Sequence, residues 1–272
     1  MQPDLTDAEK LMPVLFVGHG SPMNAIEDNP WSRKWREVRE ALPRPRAILC
    51  ISAHWETWGT SVTAMAQPRT IHDFGGFPRA LFEAQYPAPG SPWLATATRA
   101  AIQQVDVGLD QDWGLDHGAW SVLRQMYPGA DIPVVQLSMD YTQPAQFHYD
   151  LAKQLLPLRS QGVLILGSGN MVHHLRRVVF RSGRVSDFNE PFGLDWALEA
   201  SELFKQLIQE KRHQELVDYP RLGPAVQLSV PTPEHYLPLL YALALQQEDE
   251  TISYFNDVAL AGSLTMTSLV IQ

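Results

Sequence analysis

A chain of 272 residues with 45% hydrophobic and 19% charged residues is long enough to bury a large core, and its composition excludes a disordered protein. The net charge of −9 argues against nucleic acid as a partner, yet leaves a local site free to take a small anion.

In chain order, Met1 to Lys10 is polar and acidic, without the basic start and apolar core of a signal peptide. No run approaches the roughly 18 apolar residues of a membrane span. A cytoplasmic protein without membrane contact is expected, with residues 1–12 as a polar leader to one catalytic domain, 1–272. Residues 13–17 read as a buried strand, followed by Gly18-His19-Gly20-Ser21-Pro22. A histidine between two glycines at a strand end has few structural reasons to be there. Glycines let the backbone bend and approach a ligand closely, and sites in α/β sheets assemble at the carboxyl ends of strands. Metal ligand and catalytic base are both open; a capping turn is the bland alternative.

Asn29-Pro30 opens a helix to about Leu42, stopped by Pro43 and Pro45. A second strand, 47–52, holds Cys50, the only cysteine, which excludes a disulfide framework or thiolate cluster and reads as a small buried hydrophobe. Ser52-Ala53-His54-Trp55 again places a histidine past a strand end. Residues 60–66 alternate as a strand, and 71–78, Ile-His-Asp-Phe-Gly-Gly-Phe-Pro, read as a pocket-lining loop. Ser91-Pro92 starts a helix to about Gln104. Trp113 to Trp120, containing His117, leads into a helix ending near Tyr127. A strand at 132–138, a helix at 144–158 and a strand at 162–167 follow, the last running into Ser168-Gly169-Asn170-Met171-Val172-His173-His174. A helix over about 187–210 comes next, then Thr232-Pro233-Glu234-His235 with Thr232 as helix cap and Pro233 in the first turn. Strands at 251–255 and 264–271 close the chain. The alternation predicts a single α/β domain, a parallel or mixed central sheet with helices on both faces.

Nine histidines are present. His19, His54 and His173 follow strand ends; His117 and His235 open helices. If those strands are neighbours, the side chains converge on one cleft. Histidine without cysteine is typical of catalytic zinc and non-haem iron. His174 is expected to point away, His72 is a weaker candidate, and His148 and His213 read as solvated helix positions. Arg176 and Arg177, just after His173, read as a solvated face, with contact to a substrate carboxylate as the alternative. Trp55, Trp58, Phe74, Phe77, Trp113 and Trp120 read as core or pocket wall, suited to a planar ring. The chain has no GxxxxGK[ST] loop, GxSxG elbow or HExxH helix, and Gly167-Ser168-Gly169 lacks the third glycine of a dinucleotide site.

GHGSP at 18–22, SAHW at 52–55, IHDFGGFP at 71–78, DHGAW at 116–120, SGNMVHHL at 168–175 and TPEHYLPLLY at 232–241 together resemble the LigB-type class III extradiol ring-cleavage dioxygenases, and within them the DOPA 4,5-dioxygenase branch. The resemblance runs from residue 13 to the C-terminus; GHGS alone is shared with sirohydrochlorin-type chelatases, which lack the other motifs. It implies an O₂-dependent opening of a catechol such as L-DOPA beside its hydroxyls. The product would be a muconic-semialdehyde-type acid, from DOPA a seco-DOPA able to close to betalamic acid. It places two metal ligands on His19 and His54 and a third on His235, with Glu234 beside it as the alternative. His173 matches the active-site acid/base, titrating near neutrality, and is a candidate fourth ligand; His117 bonds substrate or oxygen. Fe(II) is the implied working ion, since zinc cannot transfer electrons to O₂, although Zn(II) can fill the same histidines. Rival readings of these residues are a non-catalytic metal-binding protein and a zinc hydrolase or metal chelatase.

Overall fold

Strands with no polar face need cover on both sides, and the three most apolar segments of this chain have it. The computed structural model describes residues 11–181 and 188–272; most of the polar leader, Met1 to Lys10, lies outside the described residues. Strands β1 (Val14–Gly18), β2 (Ala47–Ser52), β3 (Glu56–Thr57), β4 (Thr60–Thr63), β5 (Val107–Asp110), β6 (Val134–Gln136), β7 (Met139–Asp140), β8 (Val163–Gly169), β9 (Ile252–Phe255), β10 (Ala259–Leu260), β11 (Leu264–Thr265) and β12 (Ser268–Ile271) are interleaved with helices. The helices are α1 (Pro30–Ala41), α2 (Arg79–Glu83), α3 (Pro92–Ala101), α4 (His117–Met126), α5 (Ala145–Lys153), α6 (Leu156–Arg159), α7 (Asp195–Gln209), α8 (His213–Val217), α9 (Pro224–Ser229) and α10 (Leu237–Leu243). None of them is long and apolar enough to cross a membrane.

The central sheet runs β6-β2-β8-β1-β12-β9. The first four strands are parallel, and β12 and β9 add an antiparallel edge. Every residue of β1, β2 and β8 is buried. Their side chains alternate between two cores, as the period of two requires. Val14, Phe16, Leu49 and Ile165 join α5, α7, α9 and α10 on one face. Leu15, Val17, Cys50 and Leu166 join Trp35 of α1 and Trp120 of α4 on the other. The fold is therefore α/β with a mixed sheet covered on both faces.

Several segments depart from the sequence reading, each for a local reason. The helix expected over 144–158 breaks into α5 and α6, because Pro157 cannot donate to the carbonyl a turn before it. The helix expected from about 187 starts at Asp195; residue 187 lies outside the described residues, and 191–194 bridge to 260–262 instead. Strand β4 pairs with β5 in a separate small sheet, and the proline-rich stretch after α7 contains α8 and α9. Trp58 is 82% exposed and belongs to neither core nor pocket. His213 is half-buried against the Tyr149 hydroxyl rather than solvated.

His148 is the larger correction. It is fully buried, with Nδ1 3.0 Å from the Tyr241 hydroxyl, and burial lowers its pKa from 6.5 to about 4. The unfolded chain therefore takes up a proton that the folded chain refuses. Stability should be intact above pH 6.5 and fall as the pH drops toward 4, by on the order of 2–3 kcal/mol from this residue. Urea unfolding at pH 7 and pH 4.5 should show His148→Gln closing the gap to wild type in acid. A pH-independent difference would refute the buried neutral imidazole.

Candidate metal centre

Because β2, β8 and β1 are adjacent and parallel, their carboxyl ends share one edge of the sheet. The loops leaving that edge carry His54, His173 and His19. His19 continues the ladder, its N–H donating to Gly169 O at 3.1 Å. The flanking glycines have different reasons: a Cβ on Gly18 would lie 2.7 Å from the Met266 backbone, whereas Gly20 has φ +60° and lines the cavity.

His235 arrives from the far end of the sequence. The expected helix cap at Thr232 does not form, and the helix begins only at Leu237. The His235 carbonyl accepts from Asn170 N–H at 2.8 Å, so it is committed to the end of β8 rather than to a helical turn. Gly169 permits this approach, since a Cβ there would lie 2.2 Å from the same carbonyl oxygen. The Thr232 hydroxyl donates to Glu234 Oε1, which also lies 3.1 Å from His235 Nδ1.

His117 opens α4 behind its cap, Asp116. Asp116 is fully buried; burial and then the Asp73 charge raise its pKa against hydrogen bonds from Ser52 and Gln136. Gly118 leaves room for His54, as a Cβ there would lie 2.4 Å from Ser52 Oγ and 3.0 Å from the His54 ring. Asp73 accepts from His117 N–H and faces His117 Nδ1, both at 2.9 Å.

The structure thus brings together His19, His54, His117, His173 and His235, all lining one cavity of about 220 Å³ with Phe74, Phe77, Phe188 and Leu264. His19 Nε2 lies 3.2 Å from His54 Nε2, and one nitrogen each of His19, His54 and His235 lie within 4.8 Å of one another. Glu234 groups instead with His173 and His235, and Asp73 with His54 and His117. The His173 ring stacks on His235, with centroids 3.5 Å apart and planes at 8°. His174 turns away, Nδ1 on Leu228 O. His72 bonds Ala84 O, leaving its neighbour Asp73 as the residue of that loop that meets the histidines.

Electrostatics and tautomers suit a cation. Burial, then repulsion from neighbouring imidazoles, holds His19 and His235 well below their usual pKa. Burial, then His117, lowers His54 to about 3; burial lowers His173 to about 4, against the pull of Glu234, so it does not titrate near neutrality. All four imidazoles are neutral at pH 7, with a lone pair to offer. The Ser168 hydroxyl donates to Gly118 O at 2.6 Å and so can only accept from His19 Nδ1, 3.0 Å away. The proton of His19 is therefore on Nδ1, and the Nε2 lone pair faces His54. Two ligand nitrogens at about 2.0–2.1 Å from one ion lie roughly 3–3.4 Å apart, so the 3.2 Å separation fits a shared metal.

Sequence reasoning missed Asp73 and Ser168. Both sit inside motifs that it singled out, but no residue-level signal told a second-layer partner from a neighbour. Replacing Ser168 by Ala should leave the His19 tautomer undetermined and weaken divalent-metal binding about 10–100-fold. Chelator-competition titration checks this, and unchanged affinity would refute the tautomer argument.

Comparison with known proteins identifies the family of the chain. Residues 13–266 match the family described as the catalytic LigB subunit of aromatic ring-opening dioxygenase. The chain is 46% identical over 272 residues to a 4,5-DOPA dioxygenase extradiol of Escherichia coli K12, covering 98% of this chain and 97% of the other. It is 38% identical to one from Beta vulgaris, over 89% of each. A crystal structure of an uncharacterized protein from Escherichia coli K12 superposes with TM-score 0.82 at 41% identity, over 96% of this chain and 100% of that one.

Proposed function

The chain belongs to the LigB family of class III extradiol dioxygenases, and from that membership we propose that it opens L-DOPA or a closely similar catechol by 4,5-cleavage, with O₂ and Fe(II). The observation that carries the proposal is the convergence of His19, His54 and His235 in a pocket that also presents Phe74, Phe77, Phe188 and Leu264 beside His117, His173 and Asn170.

His19, His54 and His235 would hold the metal, the Nδ1 of His19 and of His235 being oriented by Ser168 and Glu234. When bound, the metal would supply Lewis acidity for the catechol hydroxyls and the redox partner that O₂ needs. Glu234, occupied by His235 Nδ1 and Thr232, orients the third ligand rather than replacing it. His173 lines the cavity, stacked on His235, where its unprotonated ring can take a hydroxyl proton from the incoming catechol and return it as the ring opens. His117, fixed through Nδ1 by Asp73, presents its other nitrogen to the substrate. Phe74 and Phe77 flank the ring and exclude water.

Loading the apoprotein anaerobically with Fe(II), then adding L-DOPA and air, should give a yellow product with one O₂ consumed per substrate. Absence of product and of O₂ uptake across a panel of catechols would overturn the proposal, and Zn(II) loading should give neither. Among variants, His19→Ala, His54→Ala and His235→Ala should each lose most bound metal by atomic absorption. Glu234→Gln should retain more, and His173→Ala should keep its metal while losing turnover. Retention in His235→Ala with loss in Glu234→Gln would move the third ligand to Glu234, and equal metal loss in His173→Ala would make that residue a ligand.

A further inference from the structure

A second cavity, of about 380 Å³, adjoins the metal-facing one and shares His173 and Leu175 with it. Among the described residues, the two linings contain one permanent cation, Arg176, and one carboxylate, Glu234, both in the second cavity. Arg177, next in sequence, lines neither, so the pair read from sequence as one solvated face divides. Among the described residues no ion pair engages Arg176, although several exposed arginines elsewhere are paired.

We propose that this second cavity is the subsite for the ring substituent, and that Arg176 receives the carboxylate of a catechol-bearing acid; this rests on the dioxygenase reading of the first cavity. Among the described residues the first cavity offers imidazole rings, phenyl faces, Ser21 and Asn170 but no guanidinium or ammonium, and a carboxylate buried there would lose its hydration without gaining a side-chain cation. The open positions of the metal would be taken by the ring hydroxyls. The second cavity opens directly beyond His173, and a guanidinium can meet a carboxylate there with two parallel hydrogen bonds. Glu234 lies in the same lining, so the α-ammonium of an amino acid finds an opposite charge close to where its carboxylate is held. The subsite therefore selects catechols with a short acidic arm over neutral or purely cationic ones.

The test compares wild type, Arg176→Gln and Arg177→Gln, loaded with Fe(II), on L-DOPA, 3-(3,4-dihydroxyphenyl)propanoate and dopamine. Arg176→Gln should lower kcat/KM roughly ten-fold, mainly through KM, for the two carboxylates and leave dopamine unchanged. Arg177→Gln should match wild type on all three. Equal loss on all three substrates, or no loss on any, overturns the subsite. Anaerobic binding of the same compounds by calorimetry separates this from the parent reading. If wild type opens none of them, the dioxygenase proposal fails by itself. The subsite then stands if wild type binds L-DOPA more tightly than dopamine and Arg176→Gln does not, and it falls if the two variants bind alike.

Discussion

Imidazole nitrogens facing each other across 3.2 Å cannot both be charged, and the surroundings of the centre follow from that constraint. Burial removes the water that would stabilise an imidazolium, which keeps the ring nitrogens unprotonated toward the cavity. Three of the rings are then tied from the outer side. Ser168 accepts a hydrogen bond from Nδ1–H of His19, Glu234 sits on His235 Nδ1, and Asp73 sits on His117 Nδ1. The outer partners do two jobs at once: they fix the orientation of each ring, and they decide which nitrogen is left for chemistry. A cluster of histidines without them would rotate and titrate independently.

Holding the rings so close requires backbone segments from distant parts of the chain to touch. Small residues make this possible at three places. Gly169 admits the His235 carbonyl, Gly167 admits Pro238, and Gly118 admits Ser52 and the edge of His54. The plain-looking end of β8, Gly167-Ser168-Gly169, is thus a packing surface for the C-terminal part of the site. Its serine is the one side chain there that also reaches a histidine.

Much of this was legible in the sequence because strand-end histidines stand out against apolar runs. His19 and His54 sit one and two residues past strands whose buried character is unmistakable, and His173 follows a third. What the residues could not reveal was that β2, β8 and β1 are neighbours, since pairing is a long-range property; the six ordered motifs supplied that expectation. Local pattern failed where distant groups compete for the backbone or for burial. Thr232 and Pro233 have the chemistry of a helix start, yet the His235 carbonyl is claimed by Asn170. His148 shares its helix face with Leu151 and Ala152, at spacings of three and four, so the apolar period pointed to its burial and the residue type alone argued for solvent. Asp73 was overlooked beside the more eye-catching His72.

The place of β1 in the sheet has a consequence for how the molecule is made. The strand that delivers His19 is completed by β8 on one side and by β12, residues 268–271, on the other. Strand β1 therefore waits for β12, about 250 residues later in the chain, before the hydrogen bonds of both its edges are satisfied. His235 likewise reaches the cavity only after β8 exists to receive its carbonyl. The histidines come together as a late event of synthesis, when the chain closes on itself. A nascent chain cut short of β12 carries the clustered histidines in its sequence without the completed sheet edge that gathers them.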